Sequence, residues 1–105
     1  MRVRPGAPHV AASYNNIGAV YQKKSDLENA LLQYQRALEI RTRVFGSEHP
    51  QVAGSKYNLA SLHKKRRETE KARQLFLECE QTYSAVYGPD HSETQDAARQ
   101  ASPCV

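Results

Sequence analysis

The chain repeats itself. Pro8-His9-Val10-Ala11-Ala12-Ser13 returns as Pro50-Gln51-Val52-Ala53-Gly54-Ser55, and the same offset of 42 positions carries Asn16 onto Asn58, Ile17 onto Leu59, Ala30 onto Ala72, Tyr34 onto Phe76, Gly46 onto Gly88 and His49 onto His91. One register holds from end to end without a gap. A period of this size marks a stacked array whose units cover each other's apolar faces, because a single unit cannot bury its own.

Within each unit the apolar spacing is helical. Val10, Tyr14, Ile17 and Tyr21 step by four, three and four, which sets them on one helix face. Leu27, Ala30, Leu31, Tyr34, Ala37 and Leu38 do the same for a second helix. Between the two, Ser25 followed by Glu28 has the form of a capping box, so a helix is expected to restart there. The matching stretch Arg66-Arg67-Glu68-Thr69-Glu70 lacks that serine and is a poorer stop signal. Gly46 and Gly88 are expected to end helices in the left-handed conformation, and Pro50 suits the first turn of the next helix. The spacing predicts helices over about 8–23, 27–45, 50–65, 69–87 and 92–101. Alternating strand patterns are nearly absent, so the expected class is all-α. Residues 1–7 are expected to be disordered, residues 8–49 and 50–91 to form one unit each, and 92–101 to start a third unit that stops early before a tail at 102–105.

Tyr14, Ile17-Gly18, Tyr21, Ala30, Tyr34 and Ala37 resemble the tetratricopeptide signature of aromatic, Leu-Gly, Tyr, Ala, Phe and Ala. The second unit offers Lys56, Leu59-Ala60, His63, Ala72, Phe76 and Cys79, departing at Lys56 and His63 where aromatics are usual. Those departures are expected to loosen its first helix. The 42-residue form, opening on Val-Ala-x-Ser and closing on Gly-x-x-His-Pro, looks like the repeats of kinesin light chains and nephrocystin-3-like proteins. The resemblance implies a solenoid of two helical hairpins plus a C-terminal capping helix, and a protein-binding scaffold or adaptor that needs no cofactor.

It also implies a groove lined by the first helix of each unit, holding a peptide of another protein. On that face lie Ala12, Asn16, Ala19 and Lys23 in one unit and Gly54, Asn58, Ser61 and Lys65 in the next, flanked by Asn15, Gln22, Tyr57 and Lys64. Small residues leave room for a ligand backbone, and an asparagine amide both donates and accepts, as gripping a main chain requires. Lys23, Lys64 and Lys65, with Arg66 and Arg67, add positive potential that suits an acidic or carboxylate-ended peptide. The same cations also complement helix C-terminal dipoles. Lys64-Lys65-Arg66-Arg67 has the form of a nuclear-import signal, but its place at a helix end favours a solvated turn.

The net charge of +4 lacks the arginine clusters with interleaved aromatics that specific nucleic-acid binding uses. No apolar run approaches the roughly 20 residues that span a bilayer. Met1-Arg2-Val3-Arg4-Pro5 is followed by no hydrophobic stretch, so a secretory signal is not expected and the setting reads as cytoplasmic. Cys79 reads as a small buried residue and Cys104 as a free tail thiol. His9, His49 and His91 sit at expected turns, about 10 Å apart in a helix stack, where capping is a better role than shared metal binding. No nucleophile–base arrangement or phosphate loop stands out, so an enzyme is not expected. The alternative to a peptide scaffold is self-association through exposed array ends, or a segment of a longer adaptor.

Overall fold

The computed structural model describes residues 8–102. The expectations for 1–7, Pro103 and Cys104 lie outside the described residues. The fold is an all-α superhelical stack of α1 (Pro8–Lys23), α2 (Leu27–Phe45), α3 (Pro50–Lys65), α4 (Thr69–Tyr87) and α5 (Ser92–Ala101). Each helix packs on the next in the chain, and α1 also touches α3. No strand occurs among the described residues.

The hairpin turns differ from the sequence expectation in one detail. Ser25 does not cap α2. It takes a positive φ of 61° and ends α1, while the Asp26 N–H donates to the Tyr21 carbonyl at 2.9 Å. The cap is Asp26, whose carboxylate accepts from the Asn29 N–H at 3.3 Å. The register mate of Ser25, Arg67, repeats the turn with φ 64°, and the Glu68 N–H reaches the His63 carbonyl at 2.8 Å. No side chain caps α4. Backbone closure alone stops α3, so the missing serine changes little.

Between the hairpins, Gly46 and Gly88 adopt φ 88° and 95° with ψ 158°. That is not the left-handed helical well expected from sequence but an extended region essentially reserved for glycine. The chain then enters α3 and α5 through histidine caps. The Nδ1 atoms of His49 and His91 accept from the N–H groups of Gln51 and Glu93, at 3.0 and 3.1 Å. Each ring stacks on the aromatic that closed the previous helix, Phe45 or Tyr87, with centroids 4.4 and 4.5 Å apart. His9 is different: it lies inside the first turn of α1 rather than at a turn, and its carbonyl accepts from the Ser13 hydroxyl at 3.2 Å.

Inside the first hairpin, α1 meets α2 where Gly18 faces Tyr34. A β-carbon on Gly18 would stand 2.7 Å from the Tyr34 ring, and the ring is fixed by its hydroxyl donating to Gln22 Oε1 at 2.8 Å. Gly18→Ala therefore sets a helix-propensity gain of about 1 kcal/mol against an overpacking cost of about 1–3 kcal/mol. We expect net destabilisation of roughly 1 kcal/mol in urea unfolding, and little or none once Tyr34→Leu removes the ring.

The second hairpin is not loosened. Leu59, Ala60 and Leu62 are all buried. Lys56 pairs with Glu78 at 2.8 Å and His63 with Glu68 at 2.8 Å, so both unusual residues are tied to carboxylates on or next to α4. Burial disfavours the charge on Glu78, but hydrogen bonds from Lys56 and Gln74 outweigh it and hold the carboxyl below its ordinary range. The α2–α3 junction clusters Ala30, Tyr34, Leu59 and Leu62, and each buried leucine there contributes about 1.5–3 kcal/mol. On the far side Phe76 gathers Ala60, Ala72 and Ala101, and Ala53, Cys79, Tyr83 and Ala97 form a neighbouring cluster. The Cys79 thiol donates to the Ala53 carbonyl at 3.1 Å, and burial pushes its pKa up to about 12, which makes it structural rather than reactive.

Candidate binding groove

Because α2 and α4 separate the first helices of each hairpin, α1, α3 and α5 line up on one side. Between them runs a groove of about 740 Å³. Ala12, Asn15 and Asn16 come from α1, Gly54, Tyr57 and Asn58 from α3, and Ser92, Glu93, Asp96 and Arg99 from α5. The lining is register-built. Ala12, Gly54 and Asp96 share one repeat position, Asn15, Tyr57 and Arg99 another, and Asn16 with Asn58 a third.

Of the residues expected on this face, Asn15, Asn16, Tyr57 and Asn58 line the groove together with Ala12 and Gly54. Ala19, Gln22, Lys23, Ser61, Lys64 and Lys65 do not, since they sit one to two turns further toward the hairpin bends. Gln22 is occupied by Tyr34, and Lys64 Nζ donates to Gln100 Oε1 at 3.0 Å. Lys23 and Lys65 project from exposed helix ends. In the basic turn, Arg66 is committed to Glu28 and Glu68 at 3.0 and 2.9 Å.

Two lining residues come from the second helices, beyond the face that periodicity marks on α1 and α3. Arg41 of α2 and Tyr83 of α4 reach into the groove, and they too are register mates. The 42-residue offset carries that signal, but nothing in it says that a second helix reaches the groove. Arg41 Nη1 donates to the Ser55 hydroxyl at 3.0 Å and to the Gln51 carbonyl at 3.4 Å. With its amide oxygen turned inward, Asn15 accepts from Arg41 Nη1 and Nη2 at 2.9 and 3.3 Å. Burial lowers the pKa of this guanidinium, with Tyr83 acting in the opposite sense. No carboxylate lies within ion-pair distance of it among the described residues. Its charge is oriented by neutral groups and left uncompensated.

The α5 wall carries two carboxylates and one guanidinium. Asp96 accepts from the Tyr57 hydroxyl at 2.5 Å and from Arg99 at 3.2 Å, while Glu93 stands beside Tyr83. The groove thus holds an unpaired guanidinium, Arg41, toward α1, and on α5 the Glu93 carboxylate beside an Asp96–Arg99 pair. Burial, then the hydrogen bond to Asp96, raises the Tyr57 pKa to about 12, and burial followed by Glu93 raises that of Tyr83. A phenol with a raised folded pKa binds its proton more tightly in the folded state. Its stabilising effect is complete below pH about 10, the unfolded value, and is lost as pH climbs through the folded value. We expect urea stability to fall steadily above pH about 10, and Tyr57→Phe to flatten part of that slope.

Amides, a guanidinium and phenols of this kind hold and orient a polar chain. Among the described residues no group of three histidine, cysteine or acidic side chains is placed to bind a metal. No described helix is long and apolar enough to cross a membrane.

A family model described as tetratricopeptide repeat matches residues 9–85. Among solved structures, the crystal structure of BtubC (BKLC) from P. vanneervenii superposes with a TM-score of 0.79 at 23% identity, over 92% of this chain. The chain spans 38% of the length of that protein. No curated protein matches the sequence.

Proposed function

The chain belongs to the tetratricopeptide repeat family, whose repeats are protein–protein interaction modules, and from that premise we propose that it holds a peptide segment of a partner protein in the groove between α1, α3 and α5. The carrying observation is the pair Asn16 and Asn58. Both open onto the groove at one repeat position. Among the described asparagines, hydrogen bonds hold Asn29 and Asn15, and none holds Asn16 or Asn58. Two amides at the same position of successive repeats, free to donate and accept, suit an extended main chain.

The preferred ligand carries an acidic side chain or a C-terminal carboxylate, which Arg41 takes up from the groove floor. Lys23, Lys64 and Lys65 steer it from outside rather than touch it, so salt affects its rate of arrival more than its residence. The role is that of a non-catalytic adaptor in a cytoplasmic setting, of the kind its likeness to kinesin light chain repeats implies.

Replacing both Asn16 and Asn58 with alanine is expected to weaken an acidic peptide selected by display by roughly 1–3 kcal/mol, about two hydrogen bonds, with the unfolding midpoint unchanged. Unaltered affinity in isothermal titration removes the groove assignment. Binding to RNA that outlasts physiological salt would replace the peptide reading altogether.

A further inference from the structure

The repeat carries an internal control for what each helix face needs. Four positions on α1, Val10, Ser13, Ile17 and Val20, have register mates on α3: Val52, Ser55, Leu59 and Leu62. On α3, where α2 packs over them, these are 0, 0, 4 and 0% exposed. On α5, under α4, the mates Thr94, Ala97 and Ala101 are 3, 0 and 4% exposed. On α1 Val10 is half-buried against Ala11, Ala37 and Ile40, but Ser13 is exposed, Ile17 is 45% exposed and Val20 52%. The residue types are alike; only the covering helix differs. From Ser13 to Val20 the outer face of α1 is a helix seat that no described residue covers, not a generic surface.

The chain also shows what fills such a seat. Leu31, Tyr34 and Leu38 of α2 cluster with Leu59 and Leu62. One turn on, Arg41 donates to Ser55. At the other end Glu28 pairs with Arg66 at 3.0 Å. The matching receptors are Val20, Ile17 and Ser13 on α1 and, just past its end, Lys24, the register mate of Arg66. We propose that this face docks an amphipathic helix of a partner polypeptide with the α2 pattern: a glutamate in the first turn, then leucine, an aromatic, leucine and arginine at the intervals of 28, 31, 34, 38 and 41. The glutamate meets Lys24, the leucines cover Ile17 and Val20, and the arginine reaches the Ser13 hydroxyl. A second copy of this chain is a poor occupant, because its α2 and α4 faces are already covered by α3 and α5.

The probe is a synthetic peptide of residues 26–45, held helical by a lactam on its exposed side and titrated into the isotope-labelled chain. Saturable amide shifts are expected along the outer face of α1. Ile17→Lys and Val20→Lys change exposed positions, leave the circular dichroism intact, and weaken the peptide by at least about tenfold, since they bury a charge against leucines. The Asn16→Ala/Asn58→Ala variant binds it as the parent does, so this docking stands or falls separately from the groove. Shifts confined to the groove, no saturable shift, or unchanged affinity for both lysine variants overturns the proposal. So does a dimer in sedimentation that Val20→Lys dissolves, which would give the seat to a second copy.

Discussion

Replacing Phe76 with alanine is expected to remove about 3–5 kcal/mol of folding stability, the range for truncating a buried aromatic. Phe76 is 1% exposed and stands where three helices meet. Its ring packs on Ala72 of its own helix, on Ala60 of α3 and on Ala101 of α5. Tyr57 approaches it edge-on with centroids 5.2 Å apart. The small partners are what make the loss large. The three alanines have no side chain to swing into the vacated space, and Tyr57, Leu75 and Leu77 at its rim fill it only in part, so the remaining cavity adds its cost to the lost transfer energy. A domain this short has at most a thin core, and total stability for small domains is about 5–15 kcal/mol. The variant should therefore show a urea midpoint shifted most of the way to zero, or an unfolded chain by circular dichroism. Phe76→Leu, which keeps most of the volume, should cost under half as much. A loss below about 1 kcal/mol for Phe76→Ala would mean that α3, α4 and α5 do not share one core.

The same ring explains why so much of the fold is legible in the sequence. The offset that pairs Tyr34 with Phe76 states that both stand at one place in a repeated packing scheme, and the small residues around them follow. Helix limits are legible because their punctuation is chemical: a glycine at Gly46 and Gly88, a proline at Pro50, a histidine one residue ahead of the next helix. What is not legible depends on distances across the stack. Ser25 and Asp26 are adjacent and both are good caps, so only the backbone shows that the first ends α1 and the second starts α2. Lys56 and His63 look like packing defects in sequence and are not, because Glu78 and Glu68 stand across from them. In the groove, the periodicity of α1 and α3 names the asparagines. It also names Ala19, Gln22, Lys23, Ser61, Lys64 and Lys65, since a helix face continues past the point where the groove ends. It passes over Arg41 and Tyr83, whose length lets them enter from the second helices.

Arg41 is where structural and binding roles overlap, and they separate by experiment. Arg41→Met keeps the aliphatic bulk and removes the donor, leaving the fully buried Ser55 hydroxyl without its partner at a cost of about 1–3 kcal/mol. Adding Ser55→Ala removes the orphaned group, so the double variant should recover most of that stability, as a double-mutant cycle requires for a directly coupled pair. Affinity should not recover. If the uncompensated guanidinium in the groove floor receives a ligand carboxylate, both variants lose about 2–5 kcal/mol of binding to an acidic peptide, mostly as faster dissociation. Neutralising Lys23 and Lys65 instead should slow association and reduce its salt dependence while leaving dissociation nearly unchanged, because exposed charges steer rather than hold. The double variant binding acidic peptides as tightly as the parent would show that the arginine serves Ser55 and Asn15 alone. The charge preference would then have to come from the exposed lysines, in which case raised salt would erase it.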